Sequence, residues 1–410
     1  MREGTTSVTV MNITFLLTAG LQRPAGLRYF PLAKELVRLG HRVKILALHP
    51  NLQSCEQRTT QIDGVHIQYV GQMHAPKAEG DVTRFGPWQL TRVVFASTLG
   101  MLREVAKTPG DVLHLGKPQP INGTAALLGG KLLRGRPLYL DCDDYEAGAN
   151  AFSAQWQRKI FAAFEDNLPR FAEGITVNTT FLRERYIDMG YPARRIVYVP
   201  NGIDADRFRA LSDRQADAIR ARLGVRDQRL VAYVGSLTFI NHRVDLLLQA
   251  FALVAQERPE AVLLLVGGGP DLEASRMQAQ RLGVERRVIF VGRVSPSAAP
   301  YYLKIADVSV DPVDDDPVAR ARSPLKIFES MAVGTPVVTG DVGDRREILA
   351  DGKAGLLVAP GDSKALAAGI LDLLQDDDKR VRMGEAGLRA SERYYWHVLV
   401  NDFVKVYGLS

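Results

Sequence analysis

Short apolar runs closed by Gly or Pro recur along this chain, and between them apolar residues return at helical spacing. The pattern predicts strands at residues 10–18, 42–48, 112–115, 138–141, 174–178 and 195–199. In LAKELVRLGHRVKIL it predicts a helix at 27–39, closed by Gly40, which with its flanking strands makes a β-α-β unit. A second series begins at Leu230: LVAYVGSL, AVLLLVGGGP, RVIFVGRV, DVSVDP, TPVVTG and GLLVAP. Strands apolar throughout belong in parallel sheets covered by helices on both faces, so the fold class is α/β. Asn201-Gly202-Ile203-Asp204 interrupts the alternation and divides the chain into domains expected at 1–200 and 201–392. An aromatic-rich segment (Tyr394, Tyr395, Trp396) is expected to form a last helix around 392–407, with 393–410 packing back on the first domain.

Composition changes little in this picture. With 46% hydrophobic and 24% charged residues, the 410-residue chain is an ordinary globular protein. Two cysteines, Cys55 and Cys142, make no disulfide framework and suggest a reducing compartment. No apolar run approaches the roughly 20 residues of a membrane helix. The first 20 residues lack a basic region followed by a small-residue cleavage site and read as a short tail leading into a strand, with Met11 an alternative start. A cytoplasmic protein is expected. The net charge of +6 is uneven: residues 1–200 hold 24 Lys+Arg against 17 Asp+Glu, and the remainder 28 against 29. Such an excess can attract an anionic acceptor or the anionic inner face of a membrane, or serve solubility alone. No basic run or zinc-finger spacing points to nucleic acid.

Candidate chemistry is densest in SPLKIFESMAVGTP, residues 323–336. Ser323 is a suitable helix N-cap and Pro324 a suitable first helical residue, with Gly334 closing the helix. Leu325 and Lys326 would then present free amides and a cation at a positive helix end, an anion site. Glu329 shares a helix face with Lys326. A phosphate-binding end with a carboxylate one turn away suits a nucleoside diphosphate, the carboxylate taking ribose hydroxyls. The competing reading is a Lys–Glu surface pair on an amphipathic helix.

The block FESMAVGTPVV and the following DVGDRREILADGKAGLLVAPGD resemble the donor-binding core of family 4 glycosyltransferases. That resemblance implies the GT-B fold: two Rossmann-like parallel-sheet domains facing across a cleft, the first for the acceptor and the second for a nucleotide sugar. It implies a retaining glycosyltransferase using a UDP- or GDP-sugar, with a glycan, lipid or small-molecule acceptor and no metal or other cofactor. Lys326, Glu329 and His114 (in DVLHLGKP) fall at catalytic positions, with a structural role the alternative for His114. Gly235, Ser236, His242, Arg243, Arg293, Val294, Ser323 and Leu325 fall at donor-binding ones. Gly26, Arg28, Lys117, Asp141 and Asp143 fall on the acceptor side.

The chain departs from the family pattern in places. The first Glu of the paired-Glu motif is Ala321, followed by Arg322. Ser236 and His242-Arg243 stand where Arg and Lys-Gly are expected, and Gly116 replaces a second His. Arg243, Lys326, or Arg320 with Arg322 could supply the lost charge. Gly267-Gly268-Gly269-Pro270 lacks the GK(S/T) of a P-loop and reads as a structural turn. Asp141-Cys142-Asp143 is a D-x-D, a metal motif in another glycosyltransferase fold and here an expected acceptor contact; Asp314-Asp315-Asp316 reads as a solvated loop. A GT-B nucleotide-sugar epimerase and an inactive nucleotide-sugar-binding protein are the alternative functions.

Overall fold

The computed structural model describes residues 10–21, 24–74, 85–150, 152, 154–209 and 211–409. The tail expected at 1–9 lies outside them. The chain forms two compact units, Met1–Val199 with Trp396–Ser410, and Pro200–Tyr395.

The first unit holds β1 (Asn12–Leu17), β2 (Arg42–His49), β3 (Thr59–Ile62), β4 (Val65–Gln72), β5 (Val112–Gly116), β6 (Leu138–Cys142), β7 (Gly174–Val177) and β8 (Ile196–Tyr198). They make one sheet in the order β3-β4-β2-β1-β5-β6-β7-β8. All pairs are parallel except β3 with β4, an edge hairpin around Asp63-Gly64, both at positive φ. The sequence pattern missed this hairpin, although Asp-Gly between short runs is its usual signature. It also missed the helix Pro87–Lys107. Phe15, Tyr29 and Leu32 pack with Trp396, Leu399 and Phe403 of the C-terminal helix in a shared core.

That C-terminal segment is not one helix. A turn at Glu392–Tyr394 ends the second unit, Tyr395 is extended, and Trp396–Phe403 is helical. The break has a local cause. The Tyr394 carbonyl accepts the Ile203 N–H at 2.8 Å, and its ring packs on Phe328 at 4.7 Å. Tyr394 is therefore anchored in the second unit, and an extended residue carries the chain into the first.

The second unit holds β9 (Arg229–Val234), β10 (Ala261–Val266), β11 (Val288–Gly292), β12 (Val308–Asp311), β13 (Val337–Gly340) and β14 (Gly355–Val358). The sheet is parallel, in the order β11-β10-β9-β12-β13-β14. The connection direction reverses between β9 and β12, so the loops after them diverge at the carboxyl ends of the strands. In such sheets this is where ligands bind. Leu247, Phe251, Leu263 and Ile370 lie in the core on one face, and Leu230, Leu264 and Tyr302 in the core on the other.

Candidate active site

At the reversal point of the second unit, β12 ends in a buried carboxylate, Asp311. Lys326 Nζ meets its Oδ1 at 2.8 Å, and Arg345 meets its Oδ2 at 3.0 Å. Burial alone would raise the Asp311 carboxyl. The two cations, with Arg322 nearby, more than offset this and hold it below the usual carboxylate range. Lys326 also lies over the Tyr233 ring at 4.6 Å. A side chain at Gly235 would come within 3.4 Å of Lys326 Cε, so the loop after β9 brings bare backbone to the ammonium.

The surroundings of Lys326 carry surplus positive charge. Arg322 donates to the Asn241 carbonyl at 2.6 Å and has no carboxylate partner among the described residues. The His242 ring is partly buried, with an unpartnered Nδ1 shut off from solvent. Burial, then Lys326 and Arg322, push its imidazole down to about 2, so it is neutral at physiological pH. Burial and the neighbouring guanidinium groups likewise lower the Lys326 ammonium, with Asp311 opposing them. Of the arginines expected to replace the missing family cation, Arg243 is engaged by Asp245 and Asp314, and Arg320 by Asp315. Asp316 caps the Ala319 amide. Each acid of the 314–316 loop thus has a partner, while Asp315 stays exposed. Arg322 is the arginine left beside Lys326 without a counter-charge.

The helix carrying Lys326 is Leu325–Ala332, and Ser323 does not cap it. The Ser323 hydroxyl instead accepts the Asn201 N–H at 3.1 Å, and its carbonyl accepts Asn201 Nδ2 at 2.6 Å. Pro324 occupies the cap position, with no side-chain cap bond. The Asn201-Gly202 turn competes for Ser323, which leaves the amides of Leu325 and Lys326 at a bare helix end.

Lys326 and Glu329 are not a surface pair. Glu329 is 4% exposed and bonded to Arg207 through Oε1. Burial raises its carboxyl and Arg207 opposes the rise. Sequence reading missed Arg207, Arg345 and Asp311. The last is the penultimate residue of the run DVSVDP, where an Asp at the end of a buried strand was an available signal.

Ser236 is exposed at the tip of the β9 loop, its carbonyl accepting the Tyr233 hydroxyl at 2.7 Å. Arg293 and Val294 follow β11. Arg293 is exposed and packs beside Gly268. Gly267 sits at φ 139°, and a side chain there would come within 1.9 Å of the Gly235 carbonyl. The Gly267–Gly269 turn thus supports the β9 loop by close backbone packing.

Several first-unit candidates lie elsewhere than expected. His114 is fully buried among Phe15, Tyr139, Phe403 and Tyr407, with the Tyr407 hydroxyl 2.8 Å from Nδ1. Burial pushes its imidazole down to about 3. No sugar can reach it, which corrects the expected catalytic role: central-strand position and the C-terminal helix seal it. Arg28 and Asp141 are likewise a buried ion pair, at 2.6 and 2.8 Å, with Thr176 as a further donor to Asp141. Neither is open to solvent, and each is the other's counter-charge in the core. Gly26 is buried in the first turn of the helix Pro24–Arg38, close against the Leu21 backbone. Lys117 and Asp143 are largely buried at the strand ends, their side chains 19% and 10% exposed. Lys117 reaches Asp143, Asp144 and Glu146 at 3.4, 3.1 and 2.8 Å. Burial, reinforced by Asp141 and Asp144, pushes the Asp143 carboxyl up to about 7 against Lys117.

Comparison with known proteins agrees with this architecture. Residues 215–390 match the family of glycosyl transferases group 1, and residues 28–202 match the glycosyl transferase 4-like domain. The chain is 31% identical over 228 residues to a GDP-mannose-dependent alpha-(1-6)-phosphatidylinositol monomannoside mannosyltransferase of Mycolicibacterium smegmatis, covering 55% of this chain and 59% of that protein. It is 31% identical over 231 residues to a D-inositol 3-phosphate glycosyltransferase of Corynebacterium urealyticum, covering 54% and 53%. The matched stretch thus spans little more than half of these relatives. Among solved structures, sucrose-phosphate synthase from Thermosynechococcus elongatus matches with a TM-score of 0.75 at 20% identity, covering 97% of this chain and 98% of that one. Anabaena HepE in complex with UDP-glucose matches with a TM-score of 0.71 at 20% identity, covering 97% and 99%.

Proposed function

Since the chain belongs to the GT-B glycosyltransferases of the family 4-like kind, we propose that it moves a hexose from a UDP- or GDP-sugar to an acceptor hydroxyl with retention of configuration. The observation that carries this reading is the group of Lys326, Arg322 and neutral His242 beside the bare helix end at Leu325. Asp311 neutralises one of the three cations around it, leaving positive charge for a diphosphate. Glu329 takes the ribose hydroxyls, and the loop at Arg293 and Val294 faces the base.

In this mechanism the bond between the anomeric carbon and the leaving phosphate oxygen breaks. That oxygen takes the acceptor proton, and the acceptor oxygen attacks from the same face. The protein's work is positioning and stabilisation of the charge growing on the diphosphate. No Ser-His-Asp arrangement is needed. Cations and amides hold the phosphates, while Asp141 is committed to Arg28 and Asp143 to Lys117, so transfer is expected to persist in EDTA. The test is turnover of UDP- and GDP-sugars with the product's anomeric configuration read by NMR. Inverted product overturns retention. Nucleotide-sugar isomerisation without an acceptor favours the epimerase.

Glu329→Ala should weaken UDP or GDP binding by roughly 1.5–3 kcal/mol, the scale of hydrogen bonds to a charged group. Calorimetry checks this, and unchanged affinity removes the ribose assignment.

The acceptor side is proposed to work at an anionic membrane surface. No helix among the described residues is long and apolar enough to cross a membrane. One face of the helix Pro87–Lys107 carries Trp88 (85% exposed), Arg92, Phe95 (70% exposed), Leu99 and Arg103. Aromatic and basic residues alternating on one exposed face suit an interfacial helix. Phosphatidylglycerol vesicles should retain the protein at low salt and release it at high salt, and phosphatidylcholine vesicles should retain less. Trp88→Ser with Phe95→Ser should reduce retention. If neither vesicle type retains the protein, a soluble acceptor is the better reading.

A further inference from the structure

We propose that Arg207 is the positioning residue of the nucleoside half of the donor site, fixing the Glu329 carboxylate and the loop after β11 against each other. This rests on the reading that Glu329 takes the ribose hydroxyls.

Arg207 lies in the short helix Ala205–Arg209. Its Nη1 bonds Glu329 Oε1, while Nε and Nη2 donate to the Pro296 carbonyl at 3.0 and 2.6 Å. The two side chains are only 11% and 6% exposed, so neither charge is satisfied by water. Arg207 is the charged group that faces Glu329 among the described residues. Glu329 Oε2 accepts from no other described residue, which leaves it for a ligand hydroxyl. Pro296 lies three positions beyond Arg293, in the stretch that would border the base. One planar guanidinium therefore joins the base-side loop to the ribose-side carboxylate. A fork with several fixed donors can hold two acceptors in one geometry, and a lysine cannot.

The test is calorimetry on the full chain with UDP, GDP, their 2′- and 3′-deoxy forms and inorganic pyrophosphate. The variants are Arg207→Gln, Arg207→Lys, Glu329→Gln and the double Arg207→Gln/Glu329→Gln, with thermal melts to verify folding. Arg207→Gln should weaken binding of the preferred nucleotide by about tenfold or more and narrow its preference for ribose over deoxyribose. Pyrophosphate affinity should not change. Nucleotide affinity of Arg207→Gln should fall at a higher pH than that of the unsubstituted protein as acid is added. With burial unopposed, Glu329 binds a proton sooner, and a protonated carboxyl is the poorer acceptor. Arg207→Lys should restore the pH profile but not the full affinity. In the Glu329→Gln background, Arg207→Gln should add less than about threefold. Full additivity there, or unchanged ribose discrimination in Arg207→Gln, overturns the positioning role and leaves the donor site standing. If the unsubstituted protein binds neither UDP nor GDP, or Glu329→Gln binds them equally well, the ribose reading fails and takes this inference with it.

Discussion

Replacing Lys326 with alanine is expected to lower kcat for the proposed sugar transfer about a hundred- to a thousandfold, with a much smaller change in donor affinity. Lys326 is the cation at the helix end, reached by the bare backbone of Gly235. Before reaction its charge is partly offset by Asp311 at 2.8 Å, a carboxylate it shares with Arg345. A ground-state diphosphate therefore gains little from it, whereas a leaving diphosphate, gathering charge as the glycosidic bond breaks, gains more. The environment strengthens this. Lys326 is 11% exposed, so its field is poorly screened by water. Arg345 remains as a partner for Asp311 in the variant, so the fold should survive, which a thermal melt verifies. Steady-state kinetics decide the matter. A rise in KM with unchanged kcat would mean that Lys326 binds substrate and transition state alike.

The largest effect on stability is expected from Asp311→Asn. Asp311 is 2% exposed and is the shared counter-charge of Lys326 and the fully buried Arg345. Removing one member of a buried ion group leaves uncompensated charge and destabilises by about 3–5 kcal/mol. For a unit of this size that is a fall of roughly 10 °C in Tm. The pH dependence has a definite sign. The folded-state carboxyl is held below its ordinary value, so its contribution is fully present above the unfolded value of about 4. It is lost as pH falls further, towards the depressed folded value. The unsubstituted protein should lose stability through that acid window, and Asp311→Asn should lose less there. Denaturant titrations from pH 7 down to pH 2 measure both. A variant within about 1 kcal/mol of the unsubstituted protein at pH 7 would mean that Lys326 and Arg345 find other partners.

Much of the fold was legible because buried parallel strands write a local signal. Each of the six second-unit runs became a strand, and the β-α-β start of the first unit formed as its periodicity indicated. The edge hairpin at β3 and β4 was harder, since its strands are short and half-polar. The C-terminal segment misled because helical propensity is local, while the anchoring of Tyr394 to Ile203 joins residues nearly 200 positions apart.

For the candidate site, the sequence by itself determined the residue types and their spacing: a cation and a carboxylate one turn apart on a short helix, glycines after strands, and a long ordered match to one family. Only the tertiary structure decided which charges are free to act. It turned Arg28 onto Asp141, sealed His114 under the C-terminal helix, gave Ser323 to Asn201, and engaged Arg243 and Arg320 with acids while leaving Arg322 beside Lys326. It also supplied Asp311, Arg345 and Arg207, which come from separate elements. The reason is electrostatic. A buried charge takes whatever opposite charge the fold brings within about 3 Å, and that partner is set by the meeting of strand ends, which spacing along the chain does not encode.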